Sequence, residues 1–263
     1  MVKGLKLFRE RFREFAGSMT LIGGAACDQW FDSKGIAFRS TKDLDLVIMT
    51  DEVNESFVST VLAFIEEGGY EIRERSDGSP ILYRFANPSN NEFPAKLELC
   101  SRKPEGLKLG LDQKYIPIAA GIGTHCLSAI LLDEEYFHLI QAHHDDRDGL
   151  WVANVTALIP LKAHAWLNLT RAKAEGEPVD SRDINKHRAD VFRLATTLSE
   201  EMGPHLPQSI KRELSSFLEN FPPESSDWPS ILASVGSTIP GTFQPEELIE
   251  VIRSYFRLND KSL

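Results

Sequence analysis

Cysteine is scarce in this 263-residue chain, and the three that occur, Cys27, Cys100 and Cys126, stand far apart with no Cys-x-x-Cys among them. That argues against a disulfide framework or a cysteine-based zinc site and suits buried or incidental thiols in a reducing compartment. Positive charge is also short: 29 Lys and Arg face 39 Asp and Glu, for a formal charge of −10. A surface that coats nucleic acid without selection needs the opposite balance, although a local basic groove stays open. Long apolar runs are missing. The longest, 116–132, is interrupted by Pro117, Gly121, Gly123 and His125, so no membrane span is expected. Residues 1–15 mix Lys3, Lys6, Arg9, Arg11 and Arg13 with Leu5, Leu7, Phe8, Phe12 and Phe15, without the apolar core and cleavage site of a signal peptide. They read as a first helix packed on a domain, and the expected location is the cytoplasm.

What is present has the order of an α/β protein. A short strand over 19–22 runs into Gly23-Gly24, followed by a helix over 25–31 and a glycine-containing connection over 33–40. Asp43-Leu44-Asp45-Leu46-Val47-Ile48 reads as a buried strand by its Leu, Val and Ile content. Phe57, Val58, Val61, Leu62 and Ile65 have helical spacing, which Gly68-Gly69 ends. Strands over 70–75, 81–86 and 95–101 follow, with turns at Asp77-Gly78 and 87–91. The segment 127–143 fits strand or helix. Near Val155 the pattern becomes helical: 159–174, then a helix capped by Asp180-Ser181-Arg182-Asp183 and reaching 198, then 206–218. Residues 221–243 are rich in Pro and Ser and read as irregular, and Pro245 suits the first turn of a last helix to 256. No internal repeat is present. The expected layout is a mixed α/β domain over 1–155 and a helical domain over 156–263.

The chemistry concentrates in a few residues. Alternation along a strand puts Asp43 and Asp45 on the same face, where two carboxylates repel unless a cation sits between them. Hard oxygen donors of this kind suit Mg²⁺. Gly23-Gly24, nineteen residues before Asp43, can bring backbone N–H groups against phosphate oxygens. Glu98, flanked by Leu97 and Leu99, supplies a third carboxylate, unless its strand is an edge and it faces water. Three such oxygens could hold two Mg²⁺ ions, one for an attacking hydroxyl and one for a triphosphate.

Gly23-Gly24, Arg39-Ser40-Thr41-Lys42-Asp43-Leu44-Asp45 and Glu98 resemble the signature of the polymerase beta-like nucleotidyltransferase superfamily. A later block is similar to the AbiEii-type nucleotidyltransferases, a family that contains toxins of abortive-infection and type IV toxin–antitoxin systems. It comprises Ile159-Pro160-Leu161-Lys162-Ala163, Val179-Asp180-Ser181-Arg182-Asp183 and Lys186-His187-Arg188-Ala189-Asp190-Val191-Phe192-Arg193-Leu194. The resemblance spans about residues 18–198. It implies a nucleotidyltransferase-type mixed sheet with flanking helices and a helical C-terminal domain. It also implies catalytic Asp43, Asp45, Glu98 and Asp190, with the first three as metal ligands. Gly23, Gly24, Lys42, Lys162 and Lys186 are the implied nucleotide contacts.

Read from the residues alone, Lys186 and Asp190 are i,i+4 and also suit an ordinary ion pair. Arg39 and Lys42 could meet phosphate or stand in a solvated loop. The connection from Gly24 to Asp43 is longer than in compact members of the superfamily. The Glu175-Gly176-Glu177-Pro178 loop stretches the spacing from Lys162 to Asp190.

The expected activity is transfer of a nucleoside monophosphate from an NTP to an acceptor hydroxyl. The resemblance implies RNA, such as a tRNA 3′ end, as acceptor and an antitoxin as partner. The alternatives are modification of a small molecule such as an antibiotic, or an inactive nucleotide-binding interaction module. Residues 162–193 carry seven Lys and Arg against five Asp and Glu, a mild reversal of the overall acidity. His138, His143, His144, Asp145 and Asp146 read as a polar hairpin or loop rather than a metal site. His125 and His164 read as core or interface histidines, and Trp151, Trp166 and Trp228 as packing residues.

Overall fold

A computed structural model of the protein describes residues 2–49, 54–74, 80–103, 115–118, 127–199 and 201–259. The chain forms two compact units. One contains Met1–Gln29 and Ser40–Ala153; the other contains Trp30–Arg39 and Asn154–Leu263.

The first unit is built on a mixed β-sheet. Its strands are β1 (Met19–Ile22), β2 (Asp43–Ile48), β3 (Glu71–Glu74), β4 (Pro80–Ala86), β5 (Lys96–Ser101), β6 (Tyr115–Ile118), β7 (Leu127–Leu131), β8 (His144–Arg147) and β9 (Leu150–Ala153). The main order is β3-β4-β5-β2-β1-β9-β8, and β6 joins through β7, which pairs with β5 beyond its contact with β4. The central pair matters most. β2 and β5 run parallel, with Asp43 opposite Lys96 and Asp45 opposite Glu98. Because side chains alternate, Leu44, Leu46, Leu97 and Leu99 take one face and are fully buried, leaving the polar residues on the other.

The apolar face is covered by aromatic rings. Helix α1 (Leu5–Arg11), the 3₁₀ turn Arg13–Phe15 and the residue between them contribute Phe8, Phe15 and Phe12, as the N-terminal pattern predicts. Helix α3 (Glu55–Gly68) contributes Phe57 and Phe64, and these rings meet edge-on at 5.3–6.1 Å. Leu46, Ile48, Leu97 and Leu99 close on the same cluster. Each buried ring removes enough apolar surface to contribute about 1.5–3 kcal/mol. Asn54 Oδ1 caps α3 by accepting from Phe57 N at 2.8 Å, and Gly69 ends it with φ of 59°.

Two ambiguous stretches resolve here. The segment 127–143 divides into β7 and helix α4 (Glu134–Ala142), because Asp133 caps the helix through Glu135 N and Tyr136 N. The His144–Ala153 stretch is a hairpin whose two-residue turn, Asp148-Gly149, has φ of 54° and 79°. Positive φ at both central residues is the geometry that matches strand twist in a tight hairpin. His144 stacks on Trp151 at 4.1 Å.

The second unit is helical among the described residues: α5 (Val155–Ala174), α6 (Ser181–Ala195), α7 (Gln208–Glu219), α8 (Trp228–Gly236) and α9 (Pro245–Tyr255). Asn154 and Asp180 cap α5 and α6 by accepting from Thr156 N and Arg182 N. Its core holds Trp166, Phe192, Phe217, Phe221 and Trp228, with ring centroids 4.9–5.7 Å apart. Helix α8 corrects the irregular reading of 221–243. Its Trp228, Ile231 and Val235 fall at helical spacing and are buried, with Trp228 Nε1 donating to the Pro222 carbonyl at 2.8 Å.

The helix after Gly23-Gly24, α2 (Gly23–Asp32), starts in the first unit and ends in the second, and the chain returns at Ser40. Phe31 stacks on Phe38 at 5.1 Å, and Trp30 Nε1 donates to Thr197 Oγ1 at 2.8 Å. His125 and Cys126 lie outside the described residues. No helix among the described residues is long and apolar enough to cross a membrane.

Candidate active site

The polar face of β2 and β5 carries Asp43, Asp45, Lys96 and Glu98, with Arg84 of β4 opposite Glu98. Glu98 is 8% exposed and lies on an inner strand, not on a water-facing edge. Its two oxygens meet two cations. Arg84 Nε donates to Oε1, and Lys96 Nζ lies 2.7 Å from Oε2. The same amine stands 3.4 Å from Asp43 Oδ2. Burial pushes the Glu98 carboxyl up, but the hydrogen bond from Lys96 and the charges of Lys96 and Arg84 outweigh it and hold the group below its ordinary value. Burial likewise pulls Lys96 down, and Glu98, Asp45 and Asp43 together keep it raised.

Asp45 backs onto the glycine turn. Ile22 pairs with Asp45 across β1 and β2, and Gly23 follows with φ of 70°. A β-carbon on Gly23 would collide with the Asp45 carboxylate oxygen and lie 3.0 Å from its Cγ. Glycine is therefore needed twice, for the left-handed backbone and for the approach of the acid. Helix α2 starts at this turn, so its first N–H groups have no acceptor within the helix. Gly24 belongs to that first turn. Lys42 is exposed, and its carbonyl accepts from Ala95 N at 2.9 Å.

Cys100 continues the same face. Burial, Asp45 and Glu98 push its thiol far above the ordinary range. Cys27 is fully buried.

A second cluster belongs to the helical unit. Asp190 of α6 has no exposed surface, and three cations converge on it. Arg39 grips it through Nε to Oδ1 at 2.9 Å and a terminal nitrogen to Oδ2 at 2.6 Å. Lys162 of α5 stands 3.0 Å from Oδ2, and Arg193 donates to Oδ1 at 3.0 Å. Burial raises the Asp190 carboxyl, but the charges of Lys162 and Arg39 dominate and drive it well below the carboxylate range. Arg193 is also tied to the Ser234 carbonyl of α8 at 2.9 Å. In this setting Asp190 orients Lys162 and Arg39. The long connection after α2 has a structural reason, since it carries Arg39 to this carboxylate.

Lys186 is exposed and pairs with Asp183 at 2.9 Å, an i,i+3 contact in place of the i,i+4 pair with Asp190. His187, beside the cluster, is pushed down to about 3 by burial and by the charge of Lys162. Among the described residues its Nδ1 has no hydrogen-bond partner.

Lys96 and Arg84 are participants the motifs did not single out. Lys96 was legible in principle, two residues before Glu98 and so on its face. Arg84 depends on the β4–β5 register, which residue patterns do not specify. His138 reaches Gln141, and His164 pairs with Glu213 at 2.7 Å.

Among the described residues, no three His, Cys, Asp or Glu side chains converge as a preformed metal cage. The donor chemistry nonetheless fits a hard divalent ion at Asp43 and Asp45, two carboxylates on one strand face. Glu98 fits only when Lys96 withdraws from it.

No protein-family model matches the chain, and no curated protein matches it. Among solved structures, it is similar to an antigenic nucleotidyltransferase-like protein from Paracoccidioides brasiliensis. The identity is 17% and the TM-score 0.39, over 87% of this chain and 89% of that one. A likeness at that level carries no argument about chemistry.

Proposed function

We propose that the protein is a Mg²⁺-dependent nucleotidyltransferase that moves a nucleoside monophosphate from an NTP to an acceptor hydroxyl. One observation carries the reading: the β2–β5 register sets Asp43, Asp45 and Glu98 on one face, and the Gly23 turn lies directly against Asp45. A bare ion-pair cluster has no need of that glycine turn, whereas a phosphate site does.

In the reaction the acceptor oxygen bonds the α-phosphorus, the bond to pyrophosphate breaks, and the hydroxyl proton leaves to water on the carboxylate face. Glu98 stands on that face between Lys96 and Arg84. Asp43 and Asp45 would hold the Mg²⁺, which when bound would supply charge neutralisation at the phosphates and a more acidic acceptor hydroxyl. Gly23 and Gly24 would present backbone N–H groups to phosphate, and the exposed Lys42 is a candidate phosphate contact. Positioning and charge neutralisation carry most of the catalysis in transfers of this kind.

The acceptor is proposed to be RNA, with a toxin role and a cognate antitoxin. This finer reading rests on the AbiEii-type resemblance of the Lys162-to-Leu194 block. The test is incubation with each labelled NTP and Mg²⁺, offering total RNA in one set and candidate antibiotics in another. Label in RNA that vanishes with Asp45→Ala supports the proposal. Label on a drug alone would move the assignment to small-molecule modification. No transfer to any acceptor, or transfer undiminished in Asp45→Ala, would reject the enzyme.

A further inference from the structure

We propose that Lys96 is a tethered counter-ion that takes the place of one of two divalent cations, so that the site binds a single metal ion at Asp43 and Asp45. The inference rests on the metal-dependent transfer reading above and refines it.

The strand geometry leads to it directly. Lys96 lies opposite Asp43 in the parallel ladder and two residues before Glu98, so its stem rises on the carboxylate face. Its amine sits 2.7 Å from Glu98 Oε2 and 3.4 Å from Asp43 Oδ2, bridging carboxylates on neighbouring strands. A second ion shared by Asp43 and Glu98 would draw on these same oxygens.

Charge and tethering favour the lysine. Among the described side chains of this face, Lys96 and Arg84 already engage both oxygens of Glu98, and Lys96 reaches Asp43 as well, which leaves the Asp43–Asp45 pair for one divalent ion. A second would have to displace an amine that is covalently attached and so present at high effective concentration. Lysine suits the task because its ammonium is a compact point charge that can sit between separate oxygens. Glu98 shows the same preference: its other oxygen is engaged by Arg84 from β4, so both its neighbours are protein cations.

The test counts Mn²⁺ bound to the full chain without nucleotide, by electron paramagnetic resonance of the free ion. Ions that remain on Asp45→Asn are subtracted as belonging to the general acidic surface. The unaltered chain is expected to hold one Asp45-dependent ion. Lys96→Gln is expected to hold two, and Lys96→Arg one. Two Asp45-dependent ions on the unaltered chain, or one on a folded Lys96→Gln, would overturn the inference while leaving metal-dependent transfer intact. No Asp45-dependent ion on either protein would overturn the metal reading, and the inference with it. Should Lys96→Gln fail to fold, the count on the unaltered chain still decides.

Discussion

Gly23 and Asp45 are fitted to each other: the glycine turns out of β1 with φ of 70°, and the aspartate carboxylate occupies the space where any other residue would place its β-carbon. Strand pairing sets this up, since Ile22 is the register partner of Asp45. The turn and the acid therefore cannot be altered independently.

Gly23→Ala should consequently cost transfer far more than it costs folding. The left-handed backbone carries a penalty of about 1–2 kcal/mol for a residue with a β-carbon. Displacement of Asp45 by a fraction of an ångström should lower turnover by about 100-fold, the scale of a small misplacement of a catalytic group. Steady-state transfer rates and thermal melting of the two proteins check this. Turnover within a factor of three of the unaltered chain would show that the turn does not position the acid.

Asp190→Ala should destabilise the chain by about 3–5 kcal/mol, because Arg39, Lys162 and Arg193 would lose the carboxylate they share. Asp190→Asn keeps the shape and part of the hydrogen bonding and should cost less. Urea unfolding at neutral pH measures both. A loss under about 1 kcal/mol for the alanine variant would mean the cations do not depend on Asp190.

The two titrating groups of that cluster act over different pH windows. Asp190 is lowered in the fold, so its contribution is present above the unfolded value of 3.8 and is lost as pH falls below it. His187 is lowered from 6.5 to about 3, so the unfolded chain binds a proton that the folded chain refuses between those values. Stability should therefore decline as pH drops from 7 to 5, by about 1–2 kcal/mol from this residue. In His187→Leu the decline should be shallower by that amount. Urea midpoints at pH 7 and pH 5 for both proteins would reveal it, and parallel slopes would refute it.

Trp228→Ala should cost about 3–5 kcal/mol, the usual range for removing a large buried aromatic. Trp228 is 3% exposed and lies 4.9 Å from Phe192 of α6, so the segment 228–236 is core and not decoration. Chemical denaturation again reads it. A change below 1 kcal/mol would return this segment to the irregular, weakly packed role its composition suggests.

Lys186→Ala separates two roles for an exposed lysine. Its ion pair with Asp183 is solvent-exposed, and such pairs contribute about 0–1 kcal/mol, so melting should hardly move. If Lys186 meets the nucleotide, KM for the NTP should rise several-fold with turnover preserved. An unchanged KM would confine the residue to the helix surface.

Local order was set by the sequence itself. Alternation put Asp43 and Asp45 on one strand face, glycine at 23 allowed the left-handed turn, and Asn54 and Asp180 marked where helices begin, because strand period and capping depend on near neighbours. The tertiary structure decided which charges meet. Register across β4, β5 and β2 brought Arg84 onto Glu98 and Lys96 beside Asp43, and the connection after α2 brought Arg39 to Asp190 across 151 positions of sequence. Helix α8 formed in a Pro- and Ser-rich stretch because burial of Trp228, Ile231 and Val235 overrode composition. A carboxylate declares itself in a sequence; the cation that neutralises it is chosen by packing, since an ion pair depends on distance in space and not along the chain.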